Sequence, residues 1–253
     1  MSDINTALRQ KILELFHYRA LPYLINSVEH DSSAVDDLIS KLIRVQSSIY
    51  ALDEVLESEW EIIASSLKGK WDDIIESLIA ANVDPVQVHD YCKHIFKYQK
   101  HELQQREGKS LLRLSMEYFY FYKSCDVKLL RRIILDHYPR LRSLYPESDW
   151  RWFDLVTEIN DDVTDVFDDI GTNNGNRFLL QIRDIGIEDT YDAYKNFLEE
   201  IGDAFRSRID QRKVHSLIID LTFKELSQTL NLLEDRKNNI ALSGLPQELP
   251  GHS

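Results

Sequence analysis

The sequence predicts an all-α fold, a single-domain helical bundle of about nine helices. Three observations lead there. Apolar residues recur at steps of three and four over long segments, which gathers them on one face of a helix. The 253 residues include only 8 glycines and 6 prolines, few for a β-rich chain with many tight turns. Hydrophobic residues make up 43%, enough to fill a sizeable core.

The elements follow from local signals. A first helix is expected over Ile4 to Asn26, bent near Pro22, whose ring removes a helical hydrogen bond. Asp31-Ser32-Ser33 offers capping oxygens, so a second helix should start there and run past Trp60. Its stripe Leu38, Leu42, Val45, Ile49, Leu52 and Leu56 alternates steps of four and three. Gly69 is read as the break before a short helix ending at Ala81. Pro85 opens the next helix, which ends near Gly108. An aromatic helix is expected over Lys109 to Ser124, and another from Asp126 to about Leu144. A helix over Ser148 to Gly171 leads into Thr172-Asn173-Asn174-Gly175, residues that tolerate left-handed backbone. Two long helices, Glu188 to Ile209 and Arg212 to Asn238, complete residues 1–242 as one domain. The tail, 243–253, has no periodicity and is expected to be disordered.

Charge and missing motifs exclude several classes. A net charge of −13 argues against nucleic-acid binding, which needs a basic face, and against anionic membrane surfaces. No segment approaches the ~18 unbroken apolar residues of a membrane span. Cys92 and Cys125 make neither a disulfide framework nor a metal-ligand spacing. With no signal-like start, they lead to the expectation of a cytoplasmic protein. Walker, GxGxxG, GxSxG and HExxH motifs are all missing.

The segment Glu158 to Phe178 carries the strongest chemical signal. An apolar seam runs through Phe153, Val156, Val163, Phe167 and Ile170, and the position it skips is Asn160. Steps of four from Asn160 reach Thr164 and Asp168, which a continuous helix would stack on one face. Three oxygen donors so placed suit a hard cation such as Mg2+. The competing reading is a buried asparagine that sets helix register, with Asp161, Asp162, Asp165 and Asp169 as a solvated outer face. Asp53, Glu54 and Glu57 border the stripe of the second helix, as either a second metal-binding motif or another solvated face. Tyr118-Phe119-Tyr120-Phe121-Tyr122 reads as ordinary core, or as the wall of an apolar pocket whose rings stabilise a cation.

These residues resemble the class I isoprenoid synthase superfamily, the terpene cyclases and trans-prenyl diphosphate synthases. Asn160-Asp161-Asp162-Val163-Thr164-Asp165-Val166-Phe167-Asp168 is similar to the cyclase pattern Asn/Asp-Asp-x-x-Ser/Thr-x-x-x-Glu. Asp168 replaces the final Glu, and Asp162 stands where an aliphatic residue is usual. Asp161, Asp162 and Asp165 also read as the Asp-Asp-x-x-Asp of prenyl synthases. The resemblance implies a helical bundle around an apolar cavity. It implies Mg2+ held by Asp53, Glu54 and Glu57 and by Asn160, Asp161, Thr164, Asp165 and Asp168. It implies a diphosphate-sensing role for Arg113, 47 residues before Asn160, and a late basic pair at Arg236 and Lys237 that closes over diphosphate. Tyr118 and Tyr122 would then face the carbocation.

The expected activity is that of a Mg2+-dependent isoprenoid diphosphate lyase or transferase. The alternative is a non-catalytic all-α interaction or scaffold protein with solvated acidic clusters. Oligomeric state stays open, a homodimer included.

Overall fold

A computed structural model describes residues 4–58, 64–107, 109–171 and 175–243, with the side chains of 57–58, 64–66, 106 and 243 outside that description. The described residues are all-helical, with twelve α-helices and one 3-10 turn. None of the helices is long and apolar enough to cross a membrane. The chain forms two compact units, Met1–Gln99 with Cys125–Leu144, and Lys100–Ser124 with Tyr145–Ser253. The tail expected to be disordered lies outside the described residues beyond Ser243.

In the first unit, α1 (Thr6–Tyr18) is capped by Asn5, whose Oδ1 accepts from the Ala7 N–H at 2.9 Å. The expected single bent helix is two helices. Ala20 adopts a left-handed backbone, φ 58°, and Pro22 stands in the first turn of α2 (Leu21–Asn26). Proline belongs in a first turn, where its missing N–H leaves nothing unsatisfied, so the break falls ahead of it. The next helix, α3 (Ser32–Ser58), buries its whole stripe: Leu38, Leu42, Val45, Ile49, Leu52 and Leu56. Trp60 lies outside the described residues.

Gly69 does not break the chain. It sits inside α4 (Ala64–Ala80), on open surface, where a helical glycine costs only about 1 kcal/mol. The hydroxyls of Ser48 and Ser77 meet at 3.0 Å between α3 and α4. Pro85 lies in a turn ahead of α5 (Val88–Arg106). The helix α7 (Cys125–His137) packs on α3, where Gln46 Nε2 donates to Asp126 Oδ2 at 2.8 Å. It ends before Pro139, so α8 (Leu141–Leu144) is separate.

In the second unit, Leu111–Arg113 is a 3-10 turn and α6 spans Met116–Lys123. The expected continuous helix from Lys109 to Ser124 is therefore split. Leu114 is extended, and Ser115 caps α6 by accepting from the Tyr118 N–H at 3.3 Å. The core is α9 (Glu147–Thr164) against α11 (Ile187–Gln211) and α12 (Ser216–Ser243). Asp149, fully buried in the first turn of α9, accepts from Arg208 at 3.0 and 3.1 Å and pairs with Arg212 at 3.3 Å. Gly202 lets α11 approach α12, since a Cβ there would lie 3.0 Å from Leu226 Cδ2.

The short helix α10 (Arg177–Ile185) was not anticipated from the sequence. Asn176 caps it, and Gly186 joins it to α11 at φ 84° and ψ 169°, a region open essentially to glycine alone. Nothing lies within 4 Å of a Cβ built on Gly186, so the penalty for a side chain there is purely one of backbone. Gly186→Ala should lower unfolding free energy by about 1–3 kcal/mol, read from urea denaturation.

Candidate functional site

The last two turns of α9 and the segment after it hold most of the residues singled out in the sequence. Asn160 is half-buried, with its Nδ2 donating to Thr229 on α12 at 3.0 Å. Thr164 Oγ1 donates to Asn160 Oδ1 at 3.2 Å, so these two oxygens do share a face. The third expected member does not join them, because α9 ends at Thr164 and Asp165 is its C-cap. Asp168 lies on the turns beyond, exposed, and helical spacing no longer governs where it points. The seam itself is buried through Phe153, Val156 and Val163, while Phe167 and Ile170 are half-buried beyond the helix end.

Arg236 contributes to that ending. Its Nε and Nη2 donate to the carbonyls of Val163 and Thr164 at 3.1 and 3.0 Å, the unsatisfied acceptors of a helix C-terminus. Its guanidinium also lies 5.2 Å from the Phe167 ring centroid. Lys237 is paired with Glu188 at 2.7 Å and sits 4.3 Å over the Tyr191 ring.

Asp162 corrects a second expectation. It is 1% exposed, not part of an outer face. Its Oδ2 accepts from Tyr120 Oη at 2.8 Å and from the Arg177 N–H at 2.9 Å. Its Oδ1 is ion-paired with Lys123. The Tyr120 hydroxyl also meets that of Tyr194 at 2.7 Å. Burial, then the Asp162 charge, pushes both tyrosine hydroxyls well above the ordinary phenol range. For Lys123, burial opposes the charged ammonium, but the attraction of Asp162 and Glu158 prevails and raises its pKa. Asn176 extends the network, with Nδ2 donating to the Asp162 carbonyl and to Asp169 Oδ2, both at 2.8 Å. Tyr120 lies in the aromatic run and Asn176 within Glu158 to Phe178, but the sequence assigns neither of them this role, and Tyr194 carries no signal. Their pairing with α9 arises only when α10 and α11 fold back.

The remaining acids, Asp161, Asp165, Asp168 and Asp169, crowd the C-terminal end of α9. That is the negative end of the helix dipole, where carboxylates are unfavourable. Although Asp165 stays exposed, partial desolvation by the surrounding turns raises its pKa, and the like charges of Asp169, Asp161 and Asp168 add to it. Among the described residues, no three His, Cys, Asp or Glu side chains are grouped as a ready metal cage. The available donors are all hard oxygens, the type Mg2+ takes, and Asn160 with Thr164 presents two of them side by side.

Other sequence-selected residues fall elsewhere. Arg113 is exposed on its 3-10 turn and donates to the Gln104 carboxamide. It is not on the helix of the aromatic run. Within α6, Phe119 and Tyr120 are core, whereas Tyr118 and Tyr122 are half-buried. The latter two rings lie 4.8 Å apart, each edge-on to His101 at 5.7 and 6.4 Å. Asp53 is half-buried and Glu54 exposed on α3, in the first unit; the Glu57 side chain lies outside the described residues.

Replacing Asp162 with Asn would leave the largely buried Lys123 ammonium without its ion-pair partner. The expected cost is about 3–5 kcal/mol, measured by urea denaturation at neutral pH. Because the Lys123 pKa is raised in the fold, its contribution is complete below the ordinary lysine value of about 10.4 and fades only at higher pH. The gap between wild type and Asp162→Asn should therefore be flat from pH 7 to 9. No protein-family model matches this chain, and no curated protein or solved structure shows significant similarity to it.

Proposed function

We propose that this chain is a Mg2+-dependent isoprenoid diphosphate lyase or transferase of the class I type, within an isoprenoid-synthase-like bundle. The observation that carries the reading is the state of the α9 C-terminus. Four carboxylates are held there against the helix dipole and against one another, beside the adjacent oxygens of Asn160 and Thr164. A bound divalent cation would turn that repulsion into attraction. Asn160, Thr164, Asp161, Asp165 and Asp168 are the residues that would hold it. When bound, Mg2+ would neutralise charge on a departing diphosphate. Arg236 keeps the α9 terminus in place beneath those acids. Tyr118 and Tyr122 are half-buried aromatics, and aromatic faces are surfaces that stabilise a cation once a leaving group takes its electron pair. The roles of Asp53, Glu54, Glu57 and Lys237 in this reading rest on the family resemblance.

A second reading, a non-catalytic interaction protein, is favoured by a different observation. Asn160 and Arg236 already have structural partners in Thr229 and the α9 carbonyls. In that case the acids are a solvated face and bind no cation of consequence.

The two readings separate in a thermal-shift measurement with Mg2+ and inorganic diphosphate. At ligand ~100-fold above Kd, binding adds about 2.7 kcal/mol, or roughly 5–10 °C for a chain of this size. The rise should vanish with EDTA and in the double variant Asn160→Ala, Asp168→Ala. An unchanged melting temperature at millimolar ligand would favour the interaction protein.

Asp165→Asn provides a second check. A carboxyl whose pKa is raised by the fold contributes stability below its unfolded value near 3.9 and loses it as pH rises through the folded value. At pH 7 without cation, Asp165→Asn should match or exceed the wild-type melting temperature, while its response to Mg2+ with diphosphate falls.

A further inference from the structure

Among the described residues, Arg177 is a buried cation with no counter-ion. It opens α10 and is 5% exposed. Its main-chain N–H goes to Asp162, but its guanidinium does not. Nη1 donates to the Leu111 carbonyl at 2.9 Å, the Phe119 ring centroid lies 5.9 Å away, and buried Nε has no hydrogen-bond partner. Buried charges are ordinarily paired, because desolvation without a counter-charge is costly. Lys123 and Asp162 follow that rule one network away.

Composition makes the exception sharper. The chain has 43 acidic residues against 30 Lys and Arg, so carboxylate partners are in excess. Yet the two arginines attached to the Leu111–Arg113 turn both take neutral acceptors. Arg177 uses the Leu111 carbonyl, and Arg113 uses the Gln104 carboxamide. A guanidinium with an unpartnered Nε–H fits a phosphoryl group, a strong acceptor of charge-assisted hydrogen bonds.

We propose that Arg177 is an anion-binding residue that, with Arg113 on the same turn, takes a phosphoryl group. Arg177 lies within Glu158 to Phe178, but no role for it followed from the sequence. The identity of the ligand as a diphosphate rests on the function proposed above; the need of Arg177 for an anion rests on its burial alone. An arriving phosphoryl group supplies the missing counter-charge and the acceptor for Nε.

The test is calorimetric titration of the full-length protein with inorganic diphosphate, once with Mg2+ and once with EDTA. Wild type should bind, and Arg177→Met should weaken binding at least tenfold. In buffer without multivalent anions, Arg177→Met should melt at or above the wild-type temperature, since it removes an uncompensated buried charge. A purely structural arginine would show the reverse, a lower melting temperature with unaltered affinity, and that result overturns the inference. Arg177→Lys keeps a point charge without the fork and guards against a methionine variant that fails to fold. Its affinity should fall between the other two, and wild-type affinity in it counts against the proposal. Binding in EDTA that Arg177→Met abolishes keeps the anion site and removes the metal reading. Mg2+-dependent binding untouched by Arg177→Met does the opposite. Wild-type protein that binds diphosphate in neither buffer overturns the anion site.

Discussion

The second unit is organised around one buried carboxylate. Asp162 is buried on α9, and three groups from two other elements satisfy its carboxylate. Lys123 and Tyr120 come from α6, and the first N–H of α10 comes from Arg177. A charge so buried is tolerated only when every lone pair is answered. That requirement fixes how α6 and α10 lie against α9. Tyr194 then joins α11 to the same point through the Tyr120 hydroxyl. A hydrophobic seam alone would permit sliding; the carboxylate does not.

The same network governs the acidic segment after α9. Asn176 holds the Asp162 carbonyl with one hand and Asp169 with the other, while its own carbonyl oxygen caps α10. Arg236 closes the helix from the α12 side by taking its last carbonyls. The carboxylates beyond Thr164 are thus held at the negative end of a helix largely by the capping of the helix and by Asn176. Left alone, mutual repulsion would spread them into solvent. Structure maintained against local electrostatics is a frequent mark of a binding site, and it is what motivates the cation in the proposed function.

Two kinds of charge imbalance therefore lie within one unit. Carboxylates are in excess at the end of α9, and among the described residues the guanidinium groups at the Leu111–Arg113 turn take neutral acceptors. A ligand that joins a cation to a phosphoryl group would answer both. The burial of Asp162 and Lys123 belongs to stability, since each already has its partner. In the proposed reading, the exposed Asp165 and Asp168 and the unpartnered Nε of Arg177 would serve binding.

The sequence by itself determined the helical class, the α3 stripe and the apolar seam through Phe153, Val156 and Val163, because periodic burial is a local property of composition and spacing. It also placed Asn160 and Thr164 on one face, since four-residue spacing holds wherever the helix does. It did not locate where the helix stops. No glycine or proline ends α9 at Thr164; the end depends on Arg236, 72 residues later, reaching its carbonyls. The split before α6 was subtler still, since Ser115 is an ordinary cap whose use depends on Leu114 being extended. Tertiary structure alone decided that Asp162 is buried while Asp161 and Asp165 are not. All three have the same side chain, and only packing against Lys123, Tyr120 and the start of α10 supplies the donors that let one of them leave water.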